Sequence, residues 1–266
     1  TGRWIRIYSG EISVKWFGAK GDVVTDDRSA IQATIRDSGD SGVKSVYFPA
    51  GTYLCELAPG IGGIGVSDSA INTIHGFSAI GAGEGSVTLK LGLTSDKNFQ
   101  SFFNCNGIDG LSISGITFDF NAARAATRVD VNYRFHNPAI IVQGQSKNIY
   151  IHDCTFTNCY VDQPLLVAGF TAGGSLVDAD FHDNVRLENL TFTKVAEGVV
   201  NNTIQEDCSA IFMYAKNSIV TNCNFDSEIP LTDLNADSRG RTAIEMYGHN
   251  LTVTDCSFKR FRRAHI

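Results

Sequence analysis

Leu111-Ser-Ile-Ser-Gly-Ile-Thr-Phe118 recurs four times downstream, as Ile149-Tyr-Ile-His-Asp-Cys-Thr-Phe156, Val185-Arg-Leu-Glu-Asn-Leu-Thr-Phe192, Ser218-Ile-Val-Thr-Asn-Cys-Asn-Phe225 and Leu251-Thr-Val-Thr-Asp-Cys-Ser-Phe258. Successive phenylalanines lie 38, 36, 33 and 33 residues apart, a period that belongs to stacked repeat architectures. Positions one, three, six and eight are apolar, apart from Ser218. Positions one and three alternate as in a strand with one buried face, and so do positions six and eight. Between them the alternation slips by one residue, at Gly115, Asp153, Asn189, Asn222 and Asp255. These residue types tolerate the left-handed region, so one of them can bend a strand sharply. Each unit therefore reads as strand, one-residue corner, strand. A helical repeat would need 3.6-residue periodicity, and a leucine-rich repeat would be shorter and built on Leu; neither pattern occurs.

A further strand precedes the later units, in Ala139-Ile-Ile-Val-Gln-Gly144, Ala210-Ile-Phe-Met-Tyr-Ala215 and Ala243-Ile-Glu-Met-Tyr-Gly248. Three short strands per turn predict an all-β chain, a right-handed parallel β-helix (solenoid). Equivalent residues then stack in columns one strand spacing apart, ~4.8 Å. Such a coil needs covered ends. An N-terminal capping α-helix is expected over 27–38, with Thr25 or Asp26 as its N-cap and Gly39 as its stop. Ala30, Ile31, Ala33, Thr34 and Ile35 supply its apolar face.

Composition narrows the function. Of the 266 residues, 43% are hydrophobic and 19% charged, with a formal net charge of -6, which supports a sizeable core and excludes a disordered chain. No run approaches the ~18 consecutive apolar residues of a membrane-spanning helix, so no membrane partner is expected. An acidic balance without a basic stripe argues against nucleic acid. Thr1-Gly2-Arg3-Trp4 lacks the apolar run of a secretory signal. The seven cysteines cannot all pair within one chain. Cys154, Cys223 and Cys256 share position six of the repeat, where a free thiol acts as a small hydrophobe, and they are expected to be buried, reduced and inert. No CxxC and no His/Cys cluster at zinc spacing occurs, so neither a metal nor another cofactor is expected.

Phe17-Gly-Ala-Lys-Gly-Asp22, Thr25-Asp-Asp27, Ala30-Ile-Gln32 and Val46-Tyr-Phe-Pro-Ala-Gly-Thr-Tyr53 resemble the opening of pectate-lyase-like β-helix proteins. With the lead-in Trp4-Ile-Arg-Ile-Tyr8 to Val14-Lys-Trp-Phe17, the chain most resembles the bacteriophage tailspike depolymerases of that superfamily. The motif covers residues 14–53, and the repeat extends the match to the C-terminus. Val23 departs from the glycine usual in the family. The motif is structural, so Asp22, Asp26 and Asp27 are expected in turns and the cap rather than in catalysis. The resemblance implies a virion-attached homotrimer, joined to the phage tail or baseplate, that binds and cleaves capsule, O-antigen or exopolysaccharide on a bacterial surface. It divides the chain into a lead-in or neck segment, 1–18, and a capped β-helix domain, 19–266. That domain is expected to be truncated at its C-terminus, since Phe258-Lys-Arg-Phe-Arg-Arg-Ala-His-Ile266 follows a rung with no cap after it.

The letters also test particular chemistries. Polygalacturonase signatures are absent, Gly248-His-Asn250 being the nearest approach, and no calcium-binding acidic cluster of the pectate lyase kind is visible in the rungs. Glycoside hydrolysis needs two carboxyl groups, ~5–9.5 Å apart across the bond. Alternation puts Ile211, Met213, Ile244 and Met246 inward, leaving Phe212, Tyr214, Glu245 and Tyr247 outward. Tyr214 and Tyr247 are one rung apart and should stack as an aromatic platform for sugar rings, with Phe212 beside them. Glu245 is the sole outward carboxylate on the three aligned strands and is the candidate general acid, since strand placement gives a catalytic group rigidity. Glu206 or Asp207 is its candidate partner as base or nucleophile, with Asp226 and Glu228 in reserve. The bland alternative makes Glu245 a solvated residue or a partner of Arg241. Long insertions at 120–138, 159–184 and 226–242 hold many further acids, most of them ordinary solvated charges. The scattered histidines give little support to a His-centred mechanism. The expected function is depolymerisation of a bacterial surface polysaccharide by glycosidic hydrolysis. A lyase on a uronic-acid polymer and a non-catalytic adhesin or structural β-helix are the alternatives.

Overall fold

The computed structural model describes residues 10–56, 64–67, 72–83, 85–92, 101–121, 138–159, 163–168, 181–195, 199–200, 203–204, 209–227, 242–261 and 263–265. Within them the chain is the right-handed parallel β-solenoid that the repeat predicts. Three parallel ladders run along the coil. In the first, position three of the repeat forms one inward column, Val46, Ala79, Ile113, Ile151, Leu187, Val220 and Val253. In the second, position eight forms another, Tyr53, Leu89, Phe118, Phe156, Phe192, Phe225 and Phe258. The third carries Phe103, Ile140, Leu165, Ile211 and Ile244. The columns therefore begin well before Leu111. The earlier turns escape the repeat because Ala79 and Leu89 stand where later turns have a larger aliphatic and Phe. Leu165–Val167 likewise fills the third ladder in a turn where the sequence shows no matching strand.

The corners work as their residue types demand. Gly115, Asp153, Asn189, Asn222 and Asp255 adopt φ of 69°, 52°, 51°, 53° and 54°. A second corner column, unforeseen in the repeat, joins the third ladder to the first. There Asn148, Asn184, Asn217 and Asn250 lie at φ 57°, 56°, 52° and 58°. Its side chains bond from turn to turn. Asn250 Nδ2 donates to Asn217 Oδ1 at 2.8 Å, Asn217 Nδ2 to Asp183 Oδ1 at 2.9 Å, and Asn184 Nδ2 to Asn148 Oδ1 at 2.8 Å. The long strands Lys147–Cys159 and His182–Val195 pass through a corner and so serve two ladders each.

Register makes the core. Phe118 to Phe156, Phe156 to Phe192, Phe192 to Phe225 and Phe225 to Phe258 stack at 5.2, 4.8, 4.8 and 5.0 Å between ring centroids. Phe192 and Phe225 are fully buried, whereas Phe258, in the last described turn, is 42% exposed. Ser218, the one polar residue in position one, is buried but satisfied. Its hydroxyl accepts from Val185 N at 3.0 Å and donates to Lys216 O at 2.7 Å. Cys154 and Cys223 are buried free thiols as expected, while Cys256, in the last described turns, is partly exposed. Burial raises the Cys223 thiol to about 12, which keeps it protonated.

The cap differs in detail from its expected bounds. The helix is Arg28–Ser41, its N-cap is Asp27 rather than Thr25 or Asp26, and it runs through Gly39 to a left-handed stop at Gly42. Gly39 fails as a stop because the helix keeps an inward contact one turn beyond Ile35, at Ser38, whose hydroxyl donates to Ile35 O at 2.7 Å. The Asp27 side chain makes no cap bond. It turns back to accept from Lys20 N at 2.6 Å and Gly21 N at 2.9 Å, tying the lead-in turn to the helix. Asp22 accepts from Val24 N and Thr25 N, and these bonds lower its pKa. Asp26 accepts from Arg28 N and Glu56 N. All three carboxylates thus hold turns. Val23 adopts φ 66°, a strained conformation for a β-branched residue that glycine would enter freely.

Two stability tests follow from this packing. Phe192→Ala opens a hole in the middle of the stack and should cost ~3–5 kcal/mol in chemical denaturation; a loss below ~1 kcal/mol would mean that the column carries little of the stability. The second concerns His182, fully buried, with Nδ1 accepting from Ser146 N at 3.3 Å. Burial pushes its pKa from 6.5 down to about 4. Between those two values the unfolded chain binds a proton that the folded chain does not, so stability present above pH 6.5 is lost as pH falls towards 4. The full loss is about 3 kcal/mol. His182→Asn, whose amide oxygen can replace Nδ1 as acceptor, should show a correspondingly shallower decline on acidification. Identical slopes for the two proteins would refute the linkage.

Candidate functional site

The outward face of the third ladder carries the predicted side chains. Strands Ser209–Thr221 and Thr242–Thr254 pair in parallel, with Phe212 beside Glu245 and Tyr214 beside Tyr247. Ile211, Met213, Ile244 and Met246 point inward and are buried, as alternation requires. The Tyr214 and Tyr247 rings stack at 4.8 Å and 15°. Because they cover each other's facing surfaces, the pair presents ring edges and hydroxyls as well as the uncovered part of Tyr247, which is 43% exposed. Phe212 leans on both rings, at 5.2 Å from Tyr214 and 5.9 Å from Tyr247. Phe181 stacks on Tyr214 at 6.2 Å and meets the exposed His249 edge to face at 6.0 Å. Further along the same outer face, Ile141, Leu166 and Ala168 are buried and packed against Phe212 and Tyr214.

Glu245 is half-buried and held at both oxygens. Oε1 accepts from the Tyr247 hydroxyl at 2.5 Å and Oε2 from Ser209 Oγ at 2.7 Å. The carboxyl plane is therefore fixed by its own strand and the adjacent one. Gly248 ends the aromatic segment where no side chain fits, since a Cβ there would lie 1.8 Å from Ala215 O. Sequence reasoning did not find Ser209, Phe181 or His249. Ser209 shows itself only through register, because it opens the strand that flanks Glu245. Asp226 lies on the second ladder, in register with Lys259, and Arg260 Nε donates to its Oδ1 at 2.6 Å. Glu206, Asp207, Glu228 and Arg241 lie outside the described residues.

A second cluster, on the outward face of the first ladder, has no counterpart in the sequence reading. Tyr150 and His152 share a strand and stack at 4.1 Å, with the Arg186 guanidinium 5.7 Å from the Tyr150 ring centroid. Arg186 forks onto Glu188 at 2.9 and 3.0 Å, and the Tyr150 hydroxyl donates to the same carboxylate at 2.6 Å. The Arg186 fork, helped by Tyr150, holds the Glu188 carboxyl down at about 2. Asp153 pairs with His152 Nδ1 at 2.7 Å and accepts from Asn189 Nδ2 at 2.5 Å, which lowers its pKa. Among the described residues, no group of three or more His, Cys, Asp or Glu side chains could hold a metal ion.

With this geometry in place, likeness to known proteins is informative. Residues 11–92, the cap and the first turns of the coil, match the family described as Rhamnogalacturonase A/epimerase, pectate lyase-like, and the described residues as a whole have the right-handed parallel β-solenoid fold. Alginate lyase 7 of Azotobacter vinelandii is 35% identical over 131 residues, 48% of this chain and 15% of that enzyme. The fold is shared with PfbA, a surface adhesin of Streptococcus pneumoniae, at a TM-score of 0.62 and 21% identity, over 92% of this chain and 57% of that one. It is shared too with the N-terminal fragment of bacteriophage phi29 gene product 12, at a TM-score of 0.59 and 20% identity, over 92% and 36%. The chain thus spans less than two thirds of each of these chains.

Proposed function

We propose that the chain is the polysaccharide-cleaving coil of a phage tailspike depolymerase, acting by glycosidic hydrolysis on the outer face of its third ladder. The observation that carries this reading is Glu245, a strand-borne carboxylate clamped by Tyr247 and Ser209 beside the stacked Tyr214–Tyr247 pair. Strands hold a catalytic group more rigidly than loops do. The aromatic residues, Phe212 included, offer apolar surface to a sugar ring. Glu245 serves as the acid–base group, and Glu206, Asp207 or Glu228 supplies the second carboxyl that hydrolysis requires. Asp226 is the weaker candidate, since Arg260 already engages it from the second ladder. In this reading the protein works outside the host cell, on a virion, as a homotrimer joined to the tail or baseplate. A lyase acting on a uronic-acid polymer is the second reading, and the similarity to alginate lyase 7 favours it.

Incubation with a panel of purified capsules, O-antigens and exopolysaccharides separates these readings. Hydrolysis raises reducing ends alone, whereas elimination also produces unsaturated sugars that absorb in the ultraviolet. Binding without new ends would make the protein an adhesin. Glu245→Gln should keep the fold and polysaccharide binding while lowering the cleavage rate at least ~100-fold, the low end for a general acid–base group. Near-normal turnover of that variant would remove Glu245 from the chemistry.

A further inference from the structure

The cluster on the first ladder is confined to two turns. In register with Tyr150 and His152 lie Ser112 and Ser114 on one side, Arg186 and Glu188 on the other. Beyond Arg186 and Glu188 come Ile219 and Thr221. Two aromatic and two charged side chains thus stand beside a low shelf of serines, on a rigid sheet. Their valences are unequally used. Glu188 Oε2 accepts from Tyr150 and Arg186 Nε, and Oε1 accepts from Arg186 Nη2. Asp153 is occupied at both oxygens by His152 and Asn189. Glu188 takes Arg186 at Nε and Nη2, His152 meets Asp153 through Nδ1, and the Arg186 side chain is half exposed. The carboxylates are spent internally, and what remains for a ligand is a guanidinium edge, an imidazole nitrogen and the exposed surface of the ring pair.

We infer that this face is a second glycan-binding site, which takes a carboxylate-bearing sugar of an acidic polysaccharide. The sugar carboxylate meets the free edge of Arg186, whose planar donors suit that geometry. A ring hydroxyl of that sugar meets His152 Nε2 above the Tyr150–His152 pair, and the next sugar of the polymer rests over Ser112 and Ser114, on the other side of that pair from Arg186. Glu188 and Tyr150 hold the guanidinium flat, so little side-chain freedom is lost on binding. The site lies on a different ladder from Glu245, so it would anchor the polymer away from the cleavage centre. The inference rests on the reading of the chain as a polysaccharide-handling protein, but not on hydrolysis at Glu245.

Isothermal titration with oligogalacturonate, oligomannuronate and a sialic-acid oligomer tests it, each beside its carboxyl-reduced counterpart. At least one acidic oligomer should bind, and its reduced form at least ~10-fold more weakly, since a charge-assisted bond is lost. Arg186→Gln should weaken binding by a similar factor. Ser112→Trp, which fills the shelf and leaves the charged groups in place, should do the same. On titration of the unaltered protein with that oligomer, the His152 ring signals should shift in NMR. No binding by any acidic oligomer, equal binding of a reduced form, or unchanged affinity in both Arg186→Gln and Ser112→Trp would overturn the site. If the oligomer binds as described but no polysaccharide is cleaved, the proposed hydrolysis fails and this site stands.

Discussion

A single residue in the left-handed region at each corner is the constraint on which the molecule depends. A strand with an inward-facing alternation can turn and keep facing inward only if one residue is spent on the bend without a side-chain clash. Asn, Asp and Gly meet that condition where a β-branched residue does not. Because Asp153, Asn189, Asn222 and Asp255 bend at nearly the same φ, successive turns superimpose and like residues fall above like. The phenylalanine stack and the interlocked asparagine ladder are consequences of that register. The register gives these side chains their partners, and each partner formed then resists slippage.

The same register shapes the chemistry. Tyr214 stacks on Tyr247 and Ser209 reaches Glu245 because neighbouring turns match residue for residue. The Tyr150, Arg186 and Glu188 network arises in the same way one ladder over. Outward positions lie outside the inward columns, so they can differ from turn to turn while those columns remain fixed. The coil thus holds several independent outward faces at constant geometry, and a change on one face leaves the others in place.

The inward columns were legible in the sequence from Leu111 onward because Phe and the corner residue recur there at regular distance. The turns before it were less legible, since Ala79 and Leu89 break the pattern while keeping the alternation. The cap was legible as a helix, but its ends were not. Gly39 resembles a stop, yet the inward contact of Ser38 carries the helix to Gly42. Of the third-ladder site, the outward placement of Glu245, Tyr214, Tyr247 and Phe212 followed from period-two alternation alone. Ser209 and Phe181 did not, because their contacts depend on register between turns and on an insertion's return path. The first-ladder cluster was hidden for a related reason. Tyr150, His152, Arg186 and Glu188 lie in positions two and four of the repeat, which carry no common residue, and only lateral stacking brings them together.

The corner constraint is tested most directly by two substitutions at Asn222, compared by chemical denaturation. Glycine enters φ 53° without strain, so Asn222→Gly should stay within ~1 kcal/mol of the parent. Valine does not, so Asn222→Val should lose a further ~1–2 kcal/mol relative to the glycine variant. Equal stability of the Gly and Val variants would show that the corner imposes no such requirement, and that the register is maintained by something other than its backbone conformation.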